Sequence, residues 1–245
     1  MNEIIKIFPT PQALAESLAL DIVNLINDTD TSTLPFSIAL SGGSTPKLLF
    51  SVLGDQFEDF VDWRNVHFFW VDERCVPPDN PESNFGMTNA GFLNRIDIPY
   101  ANIHRIKGED NPEKEAERYS GEIKASTIQK NGFPFFNVIL LGLGEDGHTA
   151  SVFPGNEMLF LTDKICDSAV HPSTGQKRIT ITGKVINNSS EIIFIVTGKN
   201  KARIVNNIIG HGNNKKQFPA SYVVPVQGKV IWYLDRDAGS LIDHV

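Results

Sequence analysis

A chain of 245 residues with 41% hydrophobic and 21% charged side chains has the material for one full α/β core. Its net charge of -7, from 22 basic against 29 acidic residues, argues against a general nucleic-acid binder, whose affinity rests on phosphate neutralisation. Two cysteines, Cys75 and Cys166, are too few for a disulfide framework or a Cys-rich zinc site, and no apolar run approaches the roughly 18 residues that span a bilayer.

The start, Met-Asn-Glu-Ile-Ile-Lys-Ile-Phe, alternates as a strand does and lacks the layout of a signal peptide, so a cytoplasmic protein is expected. A strand over 4–8 leads to a helix over 11–26, where Leu14, Leu18, Ile22, Leu25 and Ile26 share one face. A second strand, 36–40, runs into Ser41-Gly42-Gly43-Ser44-Thr45-Pro46 and a helix through Leu53. A third, 66–71, ends in Asp72-Glu73-Arg74; a proline-rich loop and a helix over 84–93 follow. Residues 103–106 form a short strand, and Pro112 opens a charged helix extending to about Gln129. The apolar strand 135–141 precedes the loop Gly142-Leu-Gly-Glu-Asp-Gly-His148, and further strands are expected at 178–182, 192–196 and 230–234, with a helix over 199–209. The polar stretch 211–217, with Lys215 and Lys216, reads as an exposed loop. Strands alternating with helices, with no repeat or linker, argue for a single α/β domain over residues 1–245: a mostly parallel sheet flanked by helices on both faces.

Chemistry gathers at three strand ends. In an open α/β sheet, ligands bind in the crevice outside the carboxyl ends of the strands. Asp146 and His148 stand two residues apart there, and a histidine so placed suits proton transfer near neutral pH, with the acid fixing its tautomer. The same loop matches the dinucleotide fingerprint at Gly142, Gly144 and Gly147. That motif should open a long helix, and Pro154 with Gly155 interrupts the pattern within about two turns, so no nicotinamide or flavin site is expected. Asp163 and Asp167 lie at tolerable distances for a ribose-binding acid, but neither ends a convincing strand.

The loop 41–46 offers glycine N–H groups, hydroxyls and a helix start, the means by which a chain cradles a phosphate; its plainer reading is a capped strand–helix turn. Arg74 carries a planar fork suited to phosphate, and the carboxylate of Asp72 beside it is a catalytic candidate that can orient groups or shuttle a proton. Lys199 or Lys201, in Thr197-Gly-Lys-Asn-Lys201, could reach an anion, and Arg178 is a weaker candidate for that job. His67 and His104 fall inside strand patterns and read as packing residues, Cys75 as a bystander. The remaining histidines (171, 211 and 244) form no metal-ligand spacing.

The blocks 41–46, Val-Asp-Glu-Arg (71–74) with Glu-Ser-Asn (82–84), and Gly-Leu-Gly-Glu-Asp-Gly-His-Thr-Ala-Ser-Val-Phe-Pro (142–154) resemble the 6-phosphogluconolactonase family. Arg-Ile-Thr-Ile-Thr (178–182), Gly-Lys-Asn-Lys-Ala (198–202) and Pro-Ala-Ser (219–221) follow the same family in order. The resemblance implies a Rossmann-like fold of the sugar-phosphate isomerase type. It also implies hydrolysis of 6-phospho-D-glucono-1,5-lactone in the pentose phosphate pathway, without cofactor or metal. His148 would activate water, with Asp146 in support. Gly42, Gly43, Ser44, Arg74 and Lys201 would hold the phosphate, and Asp72 and Asn84 would line the sugar pocket. The small phosphorylated lactone is the expected partner; no nucleic acid, membrane or obligate protein partner is evident. Glucosamine-6-phosphate deaminases look similar but carry a glutamate before the proline, where this chain has Phe153, and so the deaminase loses a needed acid. A non-catalytic sugar-phosphate sensor would keep the phosphate cluster without needing Asp146 and His148. The stretch 171–177 lacks a clear family pattern.

Overall fold

The computed structural model describes residues 3–31, 34–210 and 217–242; the 211–216 part of the expected polar loop, with His211, and also His244 lie outside the described residues. Strand β1 (Glu3–Phe8) leads into helix α1 (Pro11–Asp28), which starts where the Thr10 hydroxyl accepts the Ala13 N–H at 3.1 Å and Pro11 takes the first helical position. There follow β2 (Phe36–Leu40), α2 (Ser44–Gln56), β3 (Val66–Trp70), β4 (Asp72–Arg74), α3 (Asn84–Gly91), β5 (Ile103–His104) and α4 (Pro112–Ser126). The second half contributes β6 (Ile128–Lys130), β7 (Phe133–Phe135), β8 (Val138–Leu141), β9 (Cys166–Val170) and β10 (Lys177–Ile181). It ends with α5 (Gly183–Asn187), β11 (Glu191–Val196), α6 (Ala202–Ile209) and β12 (Lys229–Asp235).

Seven strands form one parallel sheet in the order β1-β12-β11-β8-β2-β3-β5. Every residue of β2, β8 and β11 is buried, as strands covered on both faces must be, and this is why they read as apolar runs, interrupted only by Ser37 in β2 and opened by Glu191 in β11. At the centre of the core Phe194 and Trp232 stack at 4.0 Å. From β2 the order steps through β3 and β5 in one direction and through β8, β11 and β12 in the other. The crossovers therefore diverge between β2 and β8, leaving a crevice at their carboxyl ends.

The structure departs from the sequence reading in three main places. Asp72-Glu73-Arg74 does not end β3 but forms β4, which joins β10 and β9 in a separate antiparallel sheet. Asp167 stands near the start of β9, a short, half-exposed edge strand, and ends no strand. The charged helix stops at Ser126, not near Gln129: the β-branched Thr127 turns its hydroxyl back to the Ile123 carbonyl at 2.7 Å, and Gln129 enters the β6–β7 hairpin. Its turn is Asn131-Gly132, both at positive φ, a dipeptide signal present in the sequence. The expected strand 135–141 is likewise divided, because Asn137 turns aside to accept from the backbone N–H of Ser37 at 2.9 Å.

His67 and His104 pack, His104 stacking on Phe69 at 4.3 Å, but they also form a relay. The Glu122 carboxylate can only accept, so His104 donates to it from Nδ1 (2.9 Å) and His67 Nδ1 donates to His104 Nε2 (3.0 Å). Burial first, and then the nearby His104, lower the pKa of His67 from 6.5 to about 4. Folding thus favours its neutral form: the stabilisation is complete above pH 6.5 and is lost as the pH falls towards 4. Thermal melts at pH 7 and pH 5 should show a loss of stability from this half-buried group, on the order of 1 kcal/mol with solvent screening allowed for. That part of the acid sensitivity should be missing in His67→Gln.

Candidate active site

The loops leaving β2 and β8 part above the divergence point of the sheet, and the second carries the acid–histidine pair. Asp146 Oδ1 accepts from the His148 backbone N–H at 3.1 Å and lies 2.6 Å from Nδ1 of its ring. A carboxylate has no proton to give, so Nδ1 carries the hydrogen and Nε2 presents a lone pair. Burial alone would raise the Asp146 carboxyl, yet these bonds from His148 hold it below its ordinary value. Gly144 folds tightly over the pair: a Cβ there would lie 2.1 Å from His148 Nδ1 and 2.4 Å from Asp146 Oδ1. The histidine ring rests against Phe153, itself buried, at 4.8 Å. No helix opens after Gly147; a Thr149–Val152 bridge and a short 3-10 turn at Glu157–Phe160 follow, so the requirement of the dinucleotide fingerprint is not met.

The facing wall is built by β4 and β10. Alternation along β4 turns Asp72 and Arg74 to the cavity and Glu73 to the other side. Glu73, 1% exposed, accepts N–H bonds from Arg74, Asn84 and Phe85, each at 2.8 Å, and the Ser83 hydroxyl at 3.1 Å. Burial raises the Glu73 carboxyl in spite of these bonds. Asp72 Oδ2 accepts from Ser151 Oγ at 2.6 Å, and Asn84 Nδ2 donates to the Asp72 carbonyl at 2.9 Å. Arg74 and Arg178 are direct cross-strand partners, a like-charge pairing that sheets ordinarily avoid. Both Nε atoms are buried without an acceptor among the described residues, and burial pulls the Arg178 guanidinium below its ordinary value. Two such forks side by side are matched by an anion.

Gly43, whose φ of 113° suits glycine, precedes α2 as its N-cap, and Gly43, Ser44 and Thr45 line a recess of the crevice. Lys201 comes from the turn after β11, held where the Gly198 N–H donates to both oxygens of Asp235 at 3.0 and 3.1 Å. Burial lowers the pKa of the Lys201 ammonium, opposed by Glu145 and Asp146.

These elements enclose a cavity of about 290 Å³. Gly42, Gly43, Asp72, Arg74, Asn84, His148, Arg178 and Lys201 all line it. Asp146 stands behind His148, and Ser44 lines an adjoining recess of about 170 Å³ that shares Gly42, Gly43 and Lys201 with the main cavity. Of the two lysines left open by the sequence, Lys201 lines the cavity and Lys199 is exposed. The sequence reading missed His171, which lines the cavity from the turn between β9 and β10. Its one local signal was position, seven residues before Arg178. Cys75 is no nucleophile near neutral pH, since burial pushes its thiol up to about 11. Among the described residues no group of three or more His, Cys, Asp or Glu side chains is placed to hold a metal ion.

Comparison with known proteins gives the same outline. The model of the family described as glucosamine-6-phosphate isomerases/6-phosphogluconolactonase matches residues 9–232. The 6-phosphogluconolactonase of Aggregatibacter actinomycetemcomitans is 40% identical over 238 residues, 96% of this chain and 98% of its own. That of Treponema pallidum is 47% identical over 164 residues, 67% and 68% of the two chains. Among solved structures, the 6-phosphogluconolactonase from Trypanosoma brucei has a TM-score of 0.89 at 29% identity, covering 98% of this chain and 99% of its own. With a family match that runs from the end of β1 into β12, and relatives aligned almost end to end, the chain belongs to the glucosamine-6-phosphate isomerase/6-phosphogluconolactonase family.

Proposed function

We propose that the protein hydrolyses 6-phospho-D-glucono-1,5-lactone to 6-phosphogluconate, the lactone-opening step of the pentose phosphate pathway. The observation that carries this reading is the opening of one cavity onto both a histidine with a free Nε2 and three cations, Arg74, Arg178 and Lys201. A lactone is an activated ester, so the enzyme needs a positioned base, charge to hold the phosphate, and an orienting pocket.

In this reading His148 Nε2 takes a proton from water as the water oxygen bonds to C1, and Asp146 steadies the imidazolium that forms. The bond from C1 to the ring oxygen then breaks, and that oxygen receives the proton back from His148; one water has been added. The phosphate is held by the Gly42-Gly43-Ser44 loop, Lys201 and Arg74, with Arg178 alongside. Asp72, 5% exposed and tied to Ser151 and Asn84, orients the sugar as a fixed acceptor beside Asn84. Phe153 fills the position where an isomerase of this family would need an acid. Both cysteines are free thiols, in keeping with a cytoplasmic setting.

Initial rates of lactone opening, followed at mildly acidic pH where the spontaneous reaction is slow, test the assignment; glucosamine 6-phosphate run in parallel should not turn over. His148→Ala should lower kcat by roughly 10²–10⁴-fold with little change in KM. Lys201→Met should raise KM for the phosphorylated lactone by roughly 10-fold or more, and leave KM for unphosphorylated gluconolactone unaltered. Equal effects on both lactones would remove Lys201 from the phosphate site.

A further inference from the structure

The geometry points to His171 as a substrate-positioning residue that donates a hydrogen bond from Nε2 to a hydroxyl of the bound sugar ring, an assignment that rests on the lactonase reading above.

His171 closes β9 at a tight turn into β10. Its backbone N–H donates to the Gln176 carbonyl and its carbonyl accepts from Gly175, both at 2.9 Å, with Gly175 at a φ of 70°. The main chain of His171 is therefore fixed on both sides. Its ring is fixed as well: Nδ1 accepts the backbone N–H groups of Ser173 at 3.2 Å and Thr174 at 3.3 Å. A nitrogen that accepts in this way carries no hydrogen, so the neutral ring bears its proton on Nε2. Among the described residues Nε2 has no acceptor, and the side chain lines the cavity.

The ring also packs edge-on against Phe153, centroids 4.9 Å apart, and the same phenylalanine lies 4.8 Å from the His148 ring. Phe153 thus separates two imidazoles with different tasks. His148 has a hydrogen on Nδ1 and a lone pair on Nε2, whereas His171 has the reverse arrangement. The first can remove a proton; the second can only offer one to an acceptor. With Arg74, Arg178 and Lys201 available for the phosphate, a neutral donor one ring away from the base fits a neutral acceptor near the reacting carbon, namely a sugar hydroxyl. Because the turn has already fixed the donor, little rotamer freedom is lost on binding.

The test is steady-state kinetics of the whole protein with phosphorylated lactone and with unphosphorylated gluconolactone. His171→Ala should raise KM for both by roughly 3- to 10-fold, the range of one neutral hydrogen bond, with kcat nearly unchanged. His171→Gln, which keeps an N–H donor, should recover part of the loss, and melting temperatures of both variants would confirm folding. An unchanged KM with both lactones overturns the assignment, as does a rise confined to the phosphorylated one, which would make His171 a phosphate ligand. A fall in kcat as large as that of His148→Ala overturns it too. Wild-type protein that accelerates neither lactone would instead sink the lactonase reading itself.

Discussion

The buried carboxylate of Glu73 is the interaction on which the site's architecture turns. A carboxylate so far from water is costly unless its lone pairs are filled, and here three backbone N–H groups and a hydroxyl fill them. Those donors come from two separate segments, β4 and the start of α3. Their convergence on one side chain sets the distance between Arg74 and Asn84, both of which face the cavity. Glu73 itself never reaches the cavity. It acts by fixing the backbone from which the cavity-facing residues project.

The electrostatics of the cavity then divide by wall. One wall places Arg74 opposite Arg178, a pairing that raises the energy of the empty site and falls when an anion arrives. The other wall carries Asp146 and His148, with a carboxylate held in its charged form by the ring it orients. The paired arginines and the acid–histidine pair thereby stand on separate segments, brought to one cavity by the divergence of the sheet between β2 and β8. The crevice follows from strand order, and the chemistry from what each strand end carries.

Much of this was legible before any coordinates. The fully buried strands announce themselves as mostly apolar runs, and the proline at 112 and the glycines after β2 and β8 mark element boundaries. What escaped was the second sheet. β4 and β9 are short and half-polar, and their stability comes from pairing with β10 rather than from their own pattern. His171 escaped for the same reason: its place in the cavity depends on the β9–β10 register, which brings residue 170 opposite 177. A register is a long-range fact with no local trace. The Asn131-Gly132 turn, by contrast, was a local signal that the helical charge pattern before it obscured.

The sheet order carries a consequence for how the molecule comes together. Among the described strands β1 pairs with β12 alone, and Asp235 at the end of β12 holds the Gly198 turn that presents Lys201. The first strand thus waits for the last, a contact of high sequence separation of the kind that slows folding. Until that closure, a partly folded chain can carry the histidine and the paired arginines but lacks a fixed lysine. Even in the finished fold β1 is an edge strand of the sheet, with Ile4 and Ile7 exposed on it. Docking of the last strand therefore also completes the cationic lining of the cavity.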